Sequence, residues 1–244
     1  SNAGYMYRTG RGVAKADDTA AKLMALGCET GDARGCTDLG YYYEKGIGVA
    51  ASDKEAAKLY KRGCDGGNLT GCANYAYMLN TGTGVDKDHT QAAVYRRRAC
   101  LAGNARSCND LGYQYDRGEG VPKDLAKAQA LYVQACDGDN GIGCTNAGIT
   151  FEEGERADVS RAATYYQKGC KLEASTAWRL LGGLYQTGRG VTTSSDLARA
   201  SFKKACELGD SEGGKLEKTI GTSTAKAVAP FKPGSRVRAT RSYD

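Results

Sequence analysis

The chain has 244 residues, 41% of them apolar, with a formal net charge of +6. That apolar content excludes a disordered polypeptide, and the lack of any run of about 18 apolar residues excludes a membrane-spanning helix. Glycine is in excess, 34 residues against 3 prolines, which a compact single-core domain of this length does not explain but glycine at fixed columns of a repeat does.

Taken in order, residues 1–3 (SNA) read as a cloning scar, and a signal for export is expected ahead of Gly4. The stretch GYMYRTGRGV that follows matches GYYYEKGIGV at residues 40–49, so the chain enters partway through a first unit, 4–32. The period is set by cysteine. Cys28, Cys64, Cys100 and Cys136 fall 36 residues apart, and so do Cys36, Cys72, Cys108 and Cys144. A fixed period of about 20 to 50 residues marks a solenoid of stacked units. The units are expected at 33–68, 69–104, 105–140, 141–174 and 175–210, followed by a capping helix at 211–221 and a basic extended tail at 222–244.

Within 33–68, CTDLGYYYEKG, the loop IGVAASD, KEAAKLYKRGC and the turn DGGN follow one another. Both longer stretches carry apolar residues at spacings of three and four, which predicts two amphipathic helices, hence a helix hairpin. Small residues hold fixed positions: Ala20, Ala56, Ala92, Ala128, Ala162 and Ala198 in the second helix, and Gly40, Gly112, Gly148 and Gly182, with Ala76, in the first. Close approach of helix axes explains them. Gly46, Gly82, Gly118, Gly154 and Gly188 stand where a left-handed residue ends the first helix. Asp32, Asn68, Asn104, Asn140 and Asp210 stand where the next helix needs an N-cap. In 69–104 the single histidine, His89, is read as a local cap or surface residue. The fifth unit is two residues shorter around EEGERADVSRA and lacks the second loop glycine.

The stretches LGYYYEKGIGV, LGYQYDRGEGVPKDLAKAQALY and LLGGLYQTGRGV, with endings such as KKACELGD, resemble Sel1-like repeats, relatives of the tetratricopeptide fold. The paired cysteines are similar to those of the Helicobacter cysteine-rich protein family, secreted bacterial solenoids. The resemblance covers residues 4–210. It implies an all-α, right-handed αα-superhelix of about six hairpins. As an alternative activity it implies a penicillin-binding or β-lactamase-like enzyme. The serine-x-x-lysine such chemistry needs occurs as SFKK (Ser201, Lys204) and STAK (Ser223, Lys226), without the companion motifs. No catalytic residue is therefore assigned.

A second helix ending at one cysteine and re-entering a first helix eight residues later brings two sulfurs across an antiparallel junction, within disulfide reach. The expected pairs are Cys28–Cys36, Cys64–Cys72, Cys100–Cys108 and Cys136–Cys144. Such density implies an oxidising compartment, periplasmic or secreted. Cys170 and Cys206 lack partners, Trp178 and Gly214 standing eight residues on; both are expected as buried, inert thiols. Zinc ligands two to four residues apart are missing, so no metal and no cofactor is expected.

A binding face is the better candidate. Two residues after each helix-one cysteine come Asp38, Asn74, Asp110 and Asn146, and four further come Tyr42, Met78 and Gln114. These offsets share one helical face. With Tyr41, Tyr77 and Tyr113 beside it, an Asp/Asn ladder suits the backbone of an extended peptide or protein segment. Seven basic residues against three acidic ones in the last 34 residues put +4 of the charge near the C-terminus. The repeats are left nearly neutral, so nucleic acid is not an expected partner. The tail, with Arg236, Arg238 and Arg241, is expected to dock as a strand in the groove of its own or a neighbouring molecule, a route to self-association.

Overall fold

Fixed capping residues cut this chain into short helices of nearly equal length. The computed structural model describes residues 2–153, 157–220 and 237. Its helices are α1 (Asn2–Thr9), α2 (Asp17–Glu29), α3 (Ala33–Lys45), α4 (Asp53–Asp65), α5 (Leu69–Thr81), α6 (His89–Leu101), α7 (Ala105–Arg117), α8 (Leu125–Asp137), α9 (Gly141–Glu152), α10 (Val159–Lys171), α11 (Ser175–Thr187), α12 (Ser195–Glu207) and α13 (Ser211–Thr219). There is no strand among the described residues. Two compact units divide the chain, 1–104 with 119–121, and 105–118 with 122–244. In the first unit each helix packs on the next from α1 to α6, and α3 also touches α5. In the second, α7 to α13 do the same, and α9 touches both α7 and α11.

Caps enforce the boundaries. Asp32, Asn68, Asn140 and Asp210 accept hydrogen bonds from backbone amides of the first turn they precede. Ser52, Asp88, Asp124, Asp158 and Ser194 do the same for the second helices. Such a cap contributes about 1 kcal/mol. The first helices α3, α5 and α11 end on Gly46, Gly82 and Gly188 with φ of 66°, 76° and 70°, and Gly118, after α7, has φ 72°. Gly154 lies outside the described residues. Two positions on, Gly48 is also left-handed, and a Cβ there would overlap the backbone of Asp17 at the start of α2. The loop of one hairpin thus lies directly on the preceding repeat.

At each hairpin junction the sulfur bridges close where backbones touch. Cys28–Cys36, Cys64–Cys72 and Cys136–Cys144 are bonded with Cα atoms 4.4 Å apart, and Cys100 and Cys108 are bonded as well. Glycine precedes the second cysteine in the three: a Cβ on Gly71 would stand 2.9 Å from the Cys64 nitrogen. The two remaining thiols differ from one another. Cys170 is buried in an apolar cluster with Ala177 and Leu181, against which Trp178 packs, and burial pushes its thiol up to about 12. Cys206 is exposed, contrary to the buried column position expected of it. The nine-residue α13 follows it, and Gly214 there offers no side chain to cover the sulfur.

The core repeats a ring-on-glycine contact. Tyr60, Tyr132, Tyr166 and Phe202 are wholly buried, and they meet Gly40, Gly112, Gly148 and Gly182, where a Cβ would come within 2.9 Å of the rings at Gly40 and Gly112. The hydroxyls of Tyr60 and Tyr166 donate to the carboxylates of half-buried Glu44 (2.8 Å) and Glu152 (2.7 Å). In the third hairpin Arg96 replaces the ring, and its Nη1 donates to Asn80 Oδ1 at 3.4 Å. His89 joins it, with Nδ1 and Asn80 Oδ1 2.9 Å apart. The cap of α6 is Asp88. His89 is therefore neither the cap nor a free surface residue but a half-buried partner of Asn80, one residue into the helix.

Candidate functional site

The first-helix face that begins two residues after each bridged cysteine holds different residues at different depths. In the first unit Asp38 is half-buried, with Arg34 Nε 3.7 Å away one turn earlier. Burial lifts the Asp38 carboxyl above its usual range, and the Arg34 charge opposes that rise. Asn74, Tyr41 and Tyr77 are also half-buried. Tyr42 and Met78 are not on the surface at all: Tyr42 packs with Ala20, Met24 and Leu39, and Met78 with Ala56, Tyr60 and Tyr75. They leave the set of contact candidates because α3 packs on α5, and a residue one turn past Asp38 or Asn74 falls into the core. The Tyr42 hydroxyl finds no hydrogen-bond partner among the described residues, and burial pushes its pKa up to about 12.

The second unit builds a connected polar site. Asn146, on α9, is wholly buried, as are Asn109 and Gln114 on α7. Asp110 and Tyr113 are half-buried beside them. Asn146 Nδ2 donates to Asn109 Oδ1 at 2.9 Å and to the carbonyl oxygen of Val237 at 2.8 Å. Its Oδ1 accepts the backbone N–H of Val237 at 2.8 Å. Asn109 Nδ2 in turn donates to Asp110 Oδ1 at 3.3 Å. Both amide hydrogens of Asn146 are thereby used, and the bond to Asn109 fixes which end of the amide is the donor.

The chemistry of this contact is specific to backbone. In an extended strand the N–H and C=O of one residue point to the same side, which is how neighbouring strands exchange paired bonds. A side-chain amide offering one acceptor and one donor imitates that neighbour. Aspartate in the same column can accept an N–H but has no hydrogen for a carbonyl. Asn146 therefore carries the two-point grip, and Asn74 has the same pair of groups, whereas Asp38 and Asp110 offer acceptors only. Of the tail expected to form a strand, all but Val237 lies outside the described residues.

Sequence reasoning missed Asn109. Its column reads Thr37, Ala73, Asn109 and Thr145, with no ladder to draw attention, and only packing of α7 on α9 brings it to Asn146. The serines of the enzymatic alternative fare differently. Ser201 is buried on α12, beside Phe202 and against Gly182, which leaves no approach for a substrate, and Lys204 points to Glu207 at 3.7 Å. Ser223 lies outside the described residues.

Comparison with known proteins follows the repeat. The model of the Sel1 repeat matches residues 1–32, 33–68, 70–104, 105–140, 142–173 and 179–210. No curated protein sequence matches the chain. Among solved structures it is similar to a Sel1 repeat protein from Oxalobacter formigenes, with 25% identity, a TM-score of 0.81, and 96% of this chain and 95% of that one covered. It is similar also to a protective antigen of uropathogenic Escherichia coli displaying an SLR fold, with 26% identity, a TM-score of 0.80 and 92% of this chain covered. The chain spans 50% of that antigen's length. Cysteine-rich protein B of Helicobacter pylori matches with 26% identity and a TM-score of 0.43, over 53% of this chain and 95% of that one. With six matched repeats covering most of its length, this chain belongs to the Sel1 repeat family.

Proposed function

We propose that this chain is an extracytoplasmic scaffold that binds an extended segment of another protein along the polar face of its first helices. The observation that carries the reading is the two-point hold of Asn146 on the backbone of Val237. A site that grips N–H and C=O reads conformation before sequence and tolerates many side chains. Membership of a repeat family whose members generally serve protein–protein interaction supports it. Four bridged cysteine pairs support an oxidising compartment, and no described helix is long and apolar enough to cross a membrane.

The test is selection of displayed random twelve-residue peptides on the full chain, followed by affinity measurement on the Asn146→Ala and Asn146→Asp variants, with thermal melting as the check on folding. With Val237→Pro also present in each host, so that position 237 cannot compete, selected peptides should bind Asn146→Ala about tenfold or more weakly, as loss of bonds to a buried partner group costs about 1–3 kcal/mol. Asn146→Asp should fare no better, since it keeps the acceptor and loses the donor. Failure to select any peptide, or peptides indifferent to both variants, overturns the reading.

A further inference from the structure

We infer that Val237 is an internal occupant of the Asn146 site, supplied by the chain itself, and that an outside peptide binds at Asn146 only by displacing it. The inference rests on the groove being a peptide site, as proposed above.

Three observations carry it. The capacity of Asn146 is exhausted: its two amide hydrogens go to Asn109 and Val237, and its oxygen accepts the Val237 amide. An outside backbone cannot be held in the same way until Val237 leaves. Next, Asn146 is wholly buried, and a buried amide without partners is costly, so an occupant that satisfies it is favoured over an empty groove. Finally, position 237 is not proline, although Pro230 and Pro233 lie just upstream. Proline lacks the N–H that Asn146 accepts. The residue that is gripped is one that has both groups to give.

Tethering supplies the magnitude. An occupant carried on the same chain as its site faces it at an effective concentration of about 1 mM. Even a segment with an intrinsic dissociation constant of about 0.1 mM then fills the groove about nine-tenths of the time and weakens an outside competitor about tenfold. The competitor that succeeds is an extended segment with a non-proline residue opposite Asn146. In sequence Val237 stands among Arg236, Arg238 and Arg241, and a basic extended segment is the class of partner proposed.

The experiment titrates a fluorescein-labelled peptide of residues 230–244 into the full chain and into the full chain carrying Val237→Pro, a change that lies outside every helix. Fluorescence anisotropy should show about tenfold or tighter binding to Val237→Pro, and this gain should vanish when Asn146→Ala is added. Limited trypsin digestion gives a second readout on the unlabelled full chain. Cleavage after Arg236 and Arg238 should be about tenfold faster in Asn146→Ala than in the unmodified protein, at every protein concentration. Equal peptide affinity for both hosts would overturn the occupancy and leave the groove reading intact. No binding to either host at about 1 mM peptide would remove both. Protection that disappears on dilution would show a second copy as the occupant and overturn the internal contact.

Discussion

Arg96 shows how one residue resets its neighbours. The second-helix column runs Met24, Tyr60, Arg96, Tyr132, Tyr166 and Phe202, and the facing first-helix column runs Gly4, Gly40, Ala76, Gly112, Gly148 and Gly182. The single alanine stands in register with the single arginine. A ring needs the missing Cβ, since one placed on Gly40 or Gly112 would sit 2.9 Å from the tyrosine carbons; Arg96 instead turns its guanidinium to Asn80. We predict that Arg96→Tyr alone is destabilising by about 1–3 kcal/mol through overpacking on Ala76, and that adding Ala76→Gly recovers part of the loss. Denaturant unfolding of the two single variants and the double should give a coupling energy of about 1–2 kcal/mol. Strict additivity would mean that the two columns do not meet in this hairpin. The Ala76 exception was visible in the sequence, but the reason for it was not, because the facing column had to be read together with it.

At the scale of the helix junction, the bridged pattern is one residue short of continuing. A Cβ on Gly214 would lie 3.5 Å from Cys206 Cβ, at the short end of the separation disulfides adopt. We predict that Gly214→Cys forms a bridge with Cys206 and stabilises the C-terminal hairpin by about 2.5 kcal/mol on the chain-entropy model for so short a loop. Replacing a helical glycine adds to the gain. Thiol labelling reads the outcome. In the unmodified protein exposed Cys206 should alkylate promptly, while Cys170, buried and held protonated up to about 12, should not. In Gly214→Cys neither the new thiol nor Cys206 should label. Two reactive thiols in the native variant would show that α13 does not pack closely enough. The regular pairs were legible from an eight-residue spacing, since the junction geometry is local. Exposure of Cys206 was not, because a column average hides the fact that Gly214 carries no side chain over its sulfur.

For the molecule as a whole, stability is distributed. Hairpins that pack on their sequence neighbours within each unit have no central core to compensate for a weak repeat, and four bridges hold cysteine pairs along the chain. At even 1–2 kcal/mol each, about half of what chain entropy alone gives for such a loop, their loss lowers the melting temperature by about 10–20 °C in a chain of this size. Calorimetry with and without reductant, with a thiol count to show that the bridges are broken, tests this. An unchanged melting curve would mean that helix packing alone holds the repeats.

The sequence by itself determined the repeat, the helix hairpin, the caps, the turn glycines and the bridge register. All of these depend on residues within one period of one another, so local chemistry repeated at a fixed spacing was enough. Packing between repeats decided the rest. It drew Tyr42 and Met78 out of a face that looked polar by spacing and into the core. It joined His89 to Asn80 and Arg96. Above all it set Asn109 against Asn146 across 37 residues and Asn146 against Val237 across 91. A periodic pattern gives each column an average environment, whereas a binding site is made where particular columns from different repeats meet, and that meeting is fixed only when the helices are stacked.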